Sequence, residues 1–392
     1  MTPRVLHLLH LSAGEEPTLA CRAALDIPGF THELWTIGPA SAAADAWPGL
    51  DSHPRLTPPL GNPLLAWRAS RALARDRRRR NAAPDLVQCW SPSAYALART
   101  TFGRYTPVVV LATTDPTHRT VDDAPPSWSA GSLLRMAPTT VVMRLSHWEA
   151  WLHVGAGDVR LLPPPVPAPP ASPAGAPARR DLRRMLGIDA ADDATTVAVG
   201  LLADPAPTGD ARRFSFIMGL LHTVGRRVVG VVPRGCGVMR PAARFVRAHG
   251  RRWGLVESPL PMTAIAHAID AAVWPGRHGG AALAAAYAAA GVPVVCADSA
   301  DEIAAAVAHI PGAVPPVAAR DAEMRSIAAS LLPLVEAATS GSRATPAADH
   351  RSAPAGPSFQ SVLAEIWRER LSPPGTNPFR AAAHPLTGAT AR

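Results

Sequence analysis

The chain is 392 residues long, 47% hydrophobic and 18% charged, with 43 Pro, 29 Gly and a formal net charge of +9. That much apolar material excludes wholesale disorder and fits two domains or one large one, while a Pro content about twice average usage assigns some segments to linkers or tails. No lysine occurs, so all 39 basic residues are arginine; this excludes a Schiff-base lysine and a phosphate loop closed by Lys-Ser or Lys-Thr.

The arginine load accompanies an Ala- and Pro-rich composition of the kind a GC-rich genome produces. The charge therefore reads first as a generically basic surface, and second as attraction to anionic lipid, nucleic acid or phosphorylated ligands.

In chain order, Val5–Leu11 reads as a strand, followed by a turn containing Gly14 and an apolar-periodic helix to about Leu25. Strand, Gly turn and helix open a doubly wound nucleotide-binding domain. Thr31–Ile37 reads as a strand, Pro63–Arg77 as a helix, Asp85–Trp90 as a strand and Ser93–Thr100 as a helix; Pro107–Ala112 and Thr140–Arg144 are further strands. The Pro run from Pro163 to Pro177 then interrupts the pattern as a stiff extended linker.

A second alternating series follows. Arg180–Leu186, Arg212–Val224, Pro241–His249, Pro261–Ile269, Ala281–Ala290 and Asp301–Ala308 read as helices. Thr195–Gly200, Arg227–Val232, Trp253–Val256, Ala271–Trp274 and Val292–Ala297 read as strands. Val/Leu-rich strands alternating with helices predict parallel sheets covered on both faces. The expected division is a first Rossmann-like domain over 1–162, a linker over 163–179 and a second such domain over 180–342. A loop over 343–357, a helix over 358–371 and a disordered tail over 372–392 complete it. Two such domains leave a crevice between the carboxyl ends of their strands, where ligands of open α/β sheets bind.

Cys21, Cys89, Cys236 and Cys296 lie far apart without a CxxC pair, so neither a zinc site of usual spacing nor a disulfide framework is expected. Cys89 and Cys296 sit in apolar runs and read as small core residues. The apolar start is too short and too polar for a signal segment, and no window supplies a membrane span. Cytoplasm is the expected location.

Several stretches resemble glycosyltransferase family 4, whose members are retaining, metal-independent sugar-nucleotide enzymes of the GT-B fold. Pro84–Cys89 is similar to the family's PDVVH strand, and Asp270–Pro275 keeps the spacing of DVFVLPS. Ala289–Val295 is close to AAGVPVV, and Val141–Ser146 with Leu152–Pro165 resembles the segment closing the first domain. Phe359–Leu371 resembles the C-terminal helix that crosses back to the first domain. The resemblance implies an α/β GT-B fold of two Rossmann-like domains facing a cleft, with acceptor on the first and donor on the second. It also implies no resident metal or cofactor, a nucleotide-sugar co-substrate and a glycan, lipid or small-molecule acceptor.

The family's donor motif departs here. Its two glutamates, eight positions apart, align with His278 and Ala286; Gly279 and Gly280 keep the glycine loop between them. Leu201 stands where the family has the diphosphate-binding Arg, the Lys position falls near Thr208 and Gly209, and about Thr113 replaces a histidine. Each lost charge-assisted contact is worth about 1.5–3 kcal/mol. Donor-binding candidates are Gly14, Arg213, Arg277, His278, Gly279, Gly280, Asp298 and Glu302, the last two matching a trailing acidic pattern. Gly235-Cys236-Gly237 resembles a family loop without its carboxylate and reads as a turn.

Two readings of function stand at this point: a glycosyltransferase with a rebuilt donor site, and a non-catalytic relative that binds glycans or a partner. The seven arginines of Arg68–Arg80 suggest a third role, peripheral contact with anionic lipid at the inner membrane surface. With few aromatics and no recognised module around that run, nucleic acid is not expected as a partner.

Overall fold

The computed structural model describes residues 2–10, 15–37, 71, 75, 83–102, 106–113, 137–166, 176–188, 195–203, 208–234, 254–275, 279–340 and 357–372. Val/Leu-rich strands, buried on both faces at the sheet centres and less so at the edges, build two six-stranded parallel sheets. In the first, β1 (Arg4–His10), β2 (Thr31–Ile37), β3 (Leu86–Cys89), β4 (Val108–Leu111), β5 (Thr139–Val142) and β6 (Val159–Leu161) run in the order β2-β1-β3-β4-β5-β6. Helices α1 (Glu15–Leu25), α2 (Pro92–Phe102) and α3 (Leu145–His153) belong to this half.

The second half opens with α4 (Ala176–Met185), which begins inside the stretch read as linker. Its sheet contains β7 (Val197–Leu201), β8 (Val228–Val232), β9 (Gly254–Glu257), β10 (Ala271–Trp274), β11 (Val294–Cys296) and β12 (Val317–Ala318). They lie in the order β12-β11-β10-β7-β8-β9. Helices α5 (Thr208–Thr223), α6 (Ala281–Ala289), α7 (Ala300–Val307) and α8 (Met324–Thr339) complete the layers, and α9 (Phe359–Leu371) returns to the first half.

Each strand order reverses once, between β1 and β3 and between β7 and β10. Such switch points open a crevice at the carboxyl ends of the strands. At the opposite ends, two motif aspartates tie down neighbouring backbone. Asp85 accepts from the Arg4 amide at 2.8 Å, and Asp270 accepts from the Ala198 amide at 2.8 Å while pairing with Arg179 and Arg183. Both are structural residues at the sheet floors, away from the cleft.

Helix α6 is apolar on every side and buried at every residue. A helix of that composition is stable only inside a protein, and its alanines let it lie between α1, α7 and a short helix before β10. That short helix, read from the sequence over Pro261–Ile269, is 3₁₀ over Met262–Ala268. The Ala264 amide donates to the Pro261 carbonyl and the Ile269 amide to that of Ala266, the tighter spacing usual in connectors. The Tyr287 hydroxyl donates to the Met262 carbonyl at 2.7 Å and joins the two helices.

The return helix α9 is held by a buried hydrogen bond and by ring contacts with His7 and His32. Trp367 Nε1 donates to Gln88 Oε1 at 3.0 Å. His7, stacked on Trp90 and fully buried, accepts from Trp90 Nε1 at 3.2 Å through Nδ1. Its Nε2 therefore carries the proton and donates to His32 Nδ1 at 3.0 Å. Burial first, then the neighbouring His32, hold the His7 pKa well below the ordinary value. At the far end of α9, Glu369 pairs with Arg160 and Arg370 with Asp158.

Cys21, Cys89 and Cys296 are buried thiols, and burial raises the pKa of each. The sequence-based readings of Pro241–His249, of most of Pro63–Arg77, of Gly235–Gly237 and of the tail fall outside the described residues. No helix among the described residues is long and apolar enough to cross a membrane.

Candidate functional site

The two switch points face each other. From the first half come the start of α1, the residue after β4 and the β5–α3 junction. From the second come the loop after β10, the start of α6 and the segment after β11.

Gly280 is the N-cap of α6 at φ +116° and lacks a side-chain cap. A Cβ there would lie 2.7 Å from the Leu202 carbonyl and 2.8 Å from Trp274 Nε1. Gly280 is therefore required both by its backbone angle and by space. Trp274 Nε1 donates to the Gly279 carbonyl at 2.8 Å, and the Gly279 amide donates to the Thr113 carbonyl of the opposite domain at 2.9 Å.

The N-terminal amides of α6 point at a carboxylate from the other domain. Glu16, 1% exposed, accepts from the Gly280 amide through Oε2 and from the Ala282 amide through Oε1, the latter at 3.2 Å. A helix N-terminus attracts negative charge, and here the anion is an internal one. Burial nevertheless raises the Glu16 pKa, opposed by the amides and by Arg144. Glu15 beside it accepts from the Met262 and Thr263 amides, the second at 3.1 Å, and from the Thr263 hydroxyl at 3.2 Å. Burial raises its pKa as well, against those same donors.

A second cross-domain contact centres on Arg144 and Asp298. Arg144 donates to Asp298 Oδ2 at 2.6 Å and holds its guanidinium carbon 4.8 Å from the Trp274 ring centroid. Ser146 donates to the same oxygen at 2.7 Å. Burial pushes the Asp298 carboxyl up, but Ser146 and Arg144 outweigh it and hold its pKa below the ordinary value. Ser299, left-handed at φ 56°, follows Asp298 and occupies the N-cap position of α7 without a side-chain cap bond.

Of the residues singled out in the sequence, Gly279, Gly280 and Asp298 come together at this cleft. Glu302 lies in the first turn of α7. Arg213 sits in the early turns of α5 with a buried Nη1 that has no hydrogen-bond partner among the described residues. Gly14, Arg277 and His278 lie outside the described residues. Ala286 and Leu201 are buried and carry no polar atom into the site. Among the described residues, no three His, Cys, Asp or Glu side chains cluster as a metal site would require.

Sequence reasoning missed Glu15, Glu16 and Arg144. The available signal was a Glu pair opening a helix directly after Gly14. Acidic residues in a first turn ordinarily serve their own helix, so nothing local showed that they reach the other domain.

The two opposed parallel sheets define the GT-B architecture. No family profile matches the chain, and no curated protein matches it. Solved structures do. HepE from Anabaena, in complex with UDP-glucose, superposes with a TM-score of 0.58 at 15% identity over 93% of this chain and 99% of that one. The UDP-GlcNAc 2-epimerase of Neisseria meningitidis bound to UDP-GlcNAc gives 0.54 at 12% identity, over 93% and 100%. TarM of S. aureus, with UDP bound, gives 0.51 at 11% identity, over 78% and 59%. These neighbours are UDP-sugar proteins of the GT-B type; at such identities what they share with this chain is the fold.

Proposed function

We propose that the protein binds a nucleotide-sugar in its interdomain cleft and acts as a glycosyltransferase of the family 4 type. In this reading it moves the sugar with retention of configuration to a glycan, lipid or small-molecule acceptor. The observation that carries the reading is the pair of facing switch points, with the Gly279–Gly280 loop and the α6 amides on one side and Arg144 on the other. The end-to-end likeness to structures holding UDP-glucose and UDP-GlcNAc supports UDP as the first nucleotide to test.

The donor would lie on the second domain, its diphosphate toward the start of α6 and the candidate cation Arg277, which precedes that helix in sequence. His278 would stand beside the sugar, and Arg213 is a further cation on that domain. The acceptor would enter over the first domain. No resident metal or cofactor forms part of this reading. Arg68–Arg80 would hold the protein against anionic lipid; its described members, Arg71 and Arg75, are helical and exposed. Salt-sensitive binding to anionic vesicles tests that part, and its absence removes it.

A second reading, a non-catalytic GT-B protein that binds a glycan or a partner, is favoured by one observation. Ala286 stands at a motif glutamate position, and the carboxylate nearest the α6 amides comes instead from Glu16. The readings separate by incubation with UDP-glucose and UDP-GlcNAc, with released UDP measured. Turnover with α-product by NMR supports transfer; binding without release supports the second reading.

A further inference from the structure

The α6 and 3₁₀ helices find their N-terminal acceptors outside their own segments. Neither N-terminus has a side-chain cap of its own: Gly280 offers none and Pro261 offers none. Helix ends leave amides that need acceptors. Here the acceptors are two consecutive carboxylates from one turn of α1, reaching across sequence separations of 247 to 266 residues. When the domains part, four amides and two carboxylates lose their partners together.

We propose that Glu15 and Glu16 form an autoinhibitory clasp that holds the cleft shut and puts Glu16 in competition with an incoming anionic ligand. The inference rests on the reading that ligand enters this cleft, and it deepens that reading with a gate. Glu16 is 1% exposed and occupies the Gly280 and Ala282 amides. An anion can reach them only after this carboxylate leaves. Ordinary caps are local, one residue to the helix it begins. A pair of caps borrowed by two helices from the opposite domain instead couples helix satisfaction to domain closure. Arg144 and Asp298 close the same seam from the side, and the Gly279 amide adds a bond to the Thr113 carbonyl.

The test is the double variant Glu15→Gln/Glu16→Gln of the full chain, compared with wild type by hydrogen exchange and small-angle scattering without ligand. Each glutamine offers one acceptor where the carboxylate offered two, and opposes an N–H donor with its own. The expected result is exchange at least tenfold faster at the Met262, Thr263, Gly280 and Ala282 amides, together with a larger radius of gyration. Unchanged scattering, with faster exchange confined to those four amides, overturns the clasp and leaves simple caps. If the double variant does not fold, Glu16→Asp, which keeps the charge and shortens the reach, is read in the same way. UDP titration is the second arm. Binding at least tenfold tighter in the opened variant supports competition, and equal affinity in both proteins overturns it. Opening without UDP binding to either protein leaves the clasp standing and removes the nucleotide reading.

Discussion

Replacing Arg144 with Met tests how firmly the two domains are joined. The Arg144 side chain is 4% exposed and its partner Asp298 is 35% exposed, with 2.6 Å between them. Fully exposed pairs contribute about 0–1 kcal/mol, whereas removing one member of a fully buried pair costs about 3–5 kcal/mol. Solvent at Asp298 and the remaining Ser146 donor place this pair between those limits, near 1–2 kcal/mol. The guanidinium 4.8 Å from the Trp274 ring adds about 1 kcal/mol. Arg144→Met should therefore destabilise the protein by about 2–3 kcal/mol, and a double-mutant cycle with Asp298→Asn should return a coupling of about 1–2 kcal/mol. Urea unfolding followed by tryptophan fluorescence and circular dichroism measures both, with each transition fitted separately where the domains unfold apart. A coupling below about 0.5 kcal/mol, the usual error of additivity, would refute the claim that this pair joins the domains.

Three further predictions follow from buried geometry. Gly280→Ala forces a Cβ to 2.7 Å from the Leu202 carbonyl in a left-handed residue, so a loss of at least about 1–2 kcal/mol is expected in thermal or urea unfolding; an unchanged midpoint contradicts it. Tyr287→Phe leaves the Met262 carbonyl without its donor in a dry core and should cost about 1–3 kcal/mol by the same measurement; a neutral substitution would mean that water reaches the site. His7 has a folded pKa below its unfolded value near 6.5, so the folded state binds fewer protons. Its contribution is full above about pH 6.5 and is lost as pH falls toward the folded pKa. Stability against pH should therefore decline below that point, and His7→Gln should flatten the decline; parallel slopes in both proteins would count against it.

Much of the architecture was legible. Short apolar runs such as Val108–Leu111 and Ala271–Trp274, spaced between longer helical segments, fit buried parallel strands, and the apolar face of Phe359–Leu371 marked a packed helix. Strands β6 and β12 escaped because two or three residues show no period. Helix α8 carries Pro333 within it, a residue that normally argues against a helix interior, although Ile327, Leu331 and Val335 repeat at helical spacing. The glycine loop was legible because Gly279 and Gly280 sit beside the alanine helix they start, and both are read from local sequence. Glu16 and Arg144 were not, because their partners Gly280 and Asp298 lie 264 and 154 positions away. Such pairings are set by domain closure, which leaves no mark on local pattern.

The proposed function stands or falls on whether the cleft takes a nucleotide-sugar. Its most direct test is calorimetric titration of the full chain with UDP, GDP and ADP and their common sugar conjugates, repeated with Arg277→Ala and His278→Ala. Saturable micromolar to sub-millimolar binding of one nucleotide is expected, UDP first, weakened at least about fivefold by one of the substitutions, roughly 1 kcal/mol. Absence of binding by every nucleotide at millimolar concentration would contradict it and turn the search to glycans and protein partners.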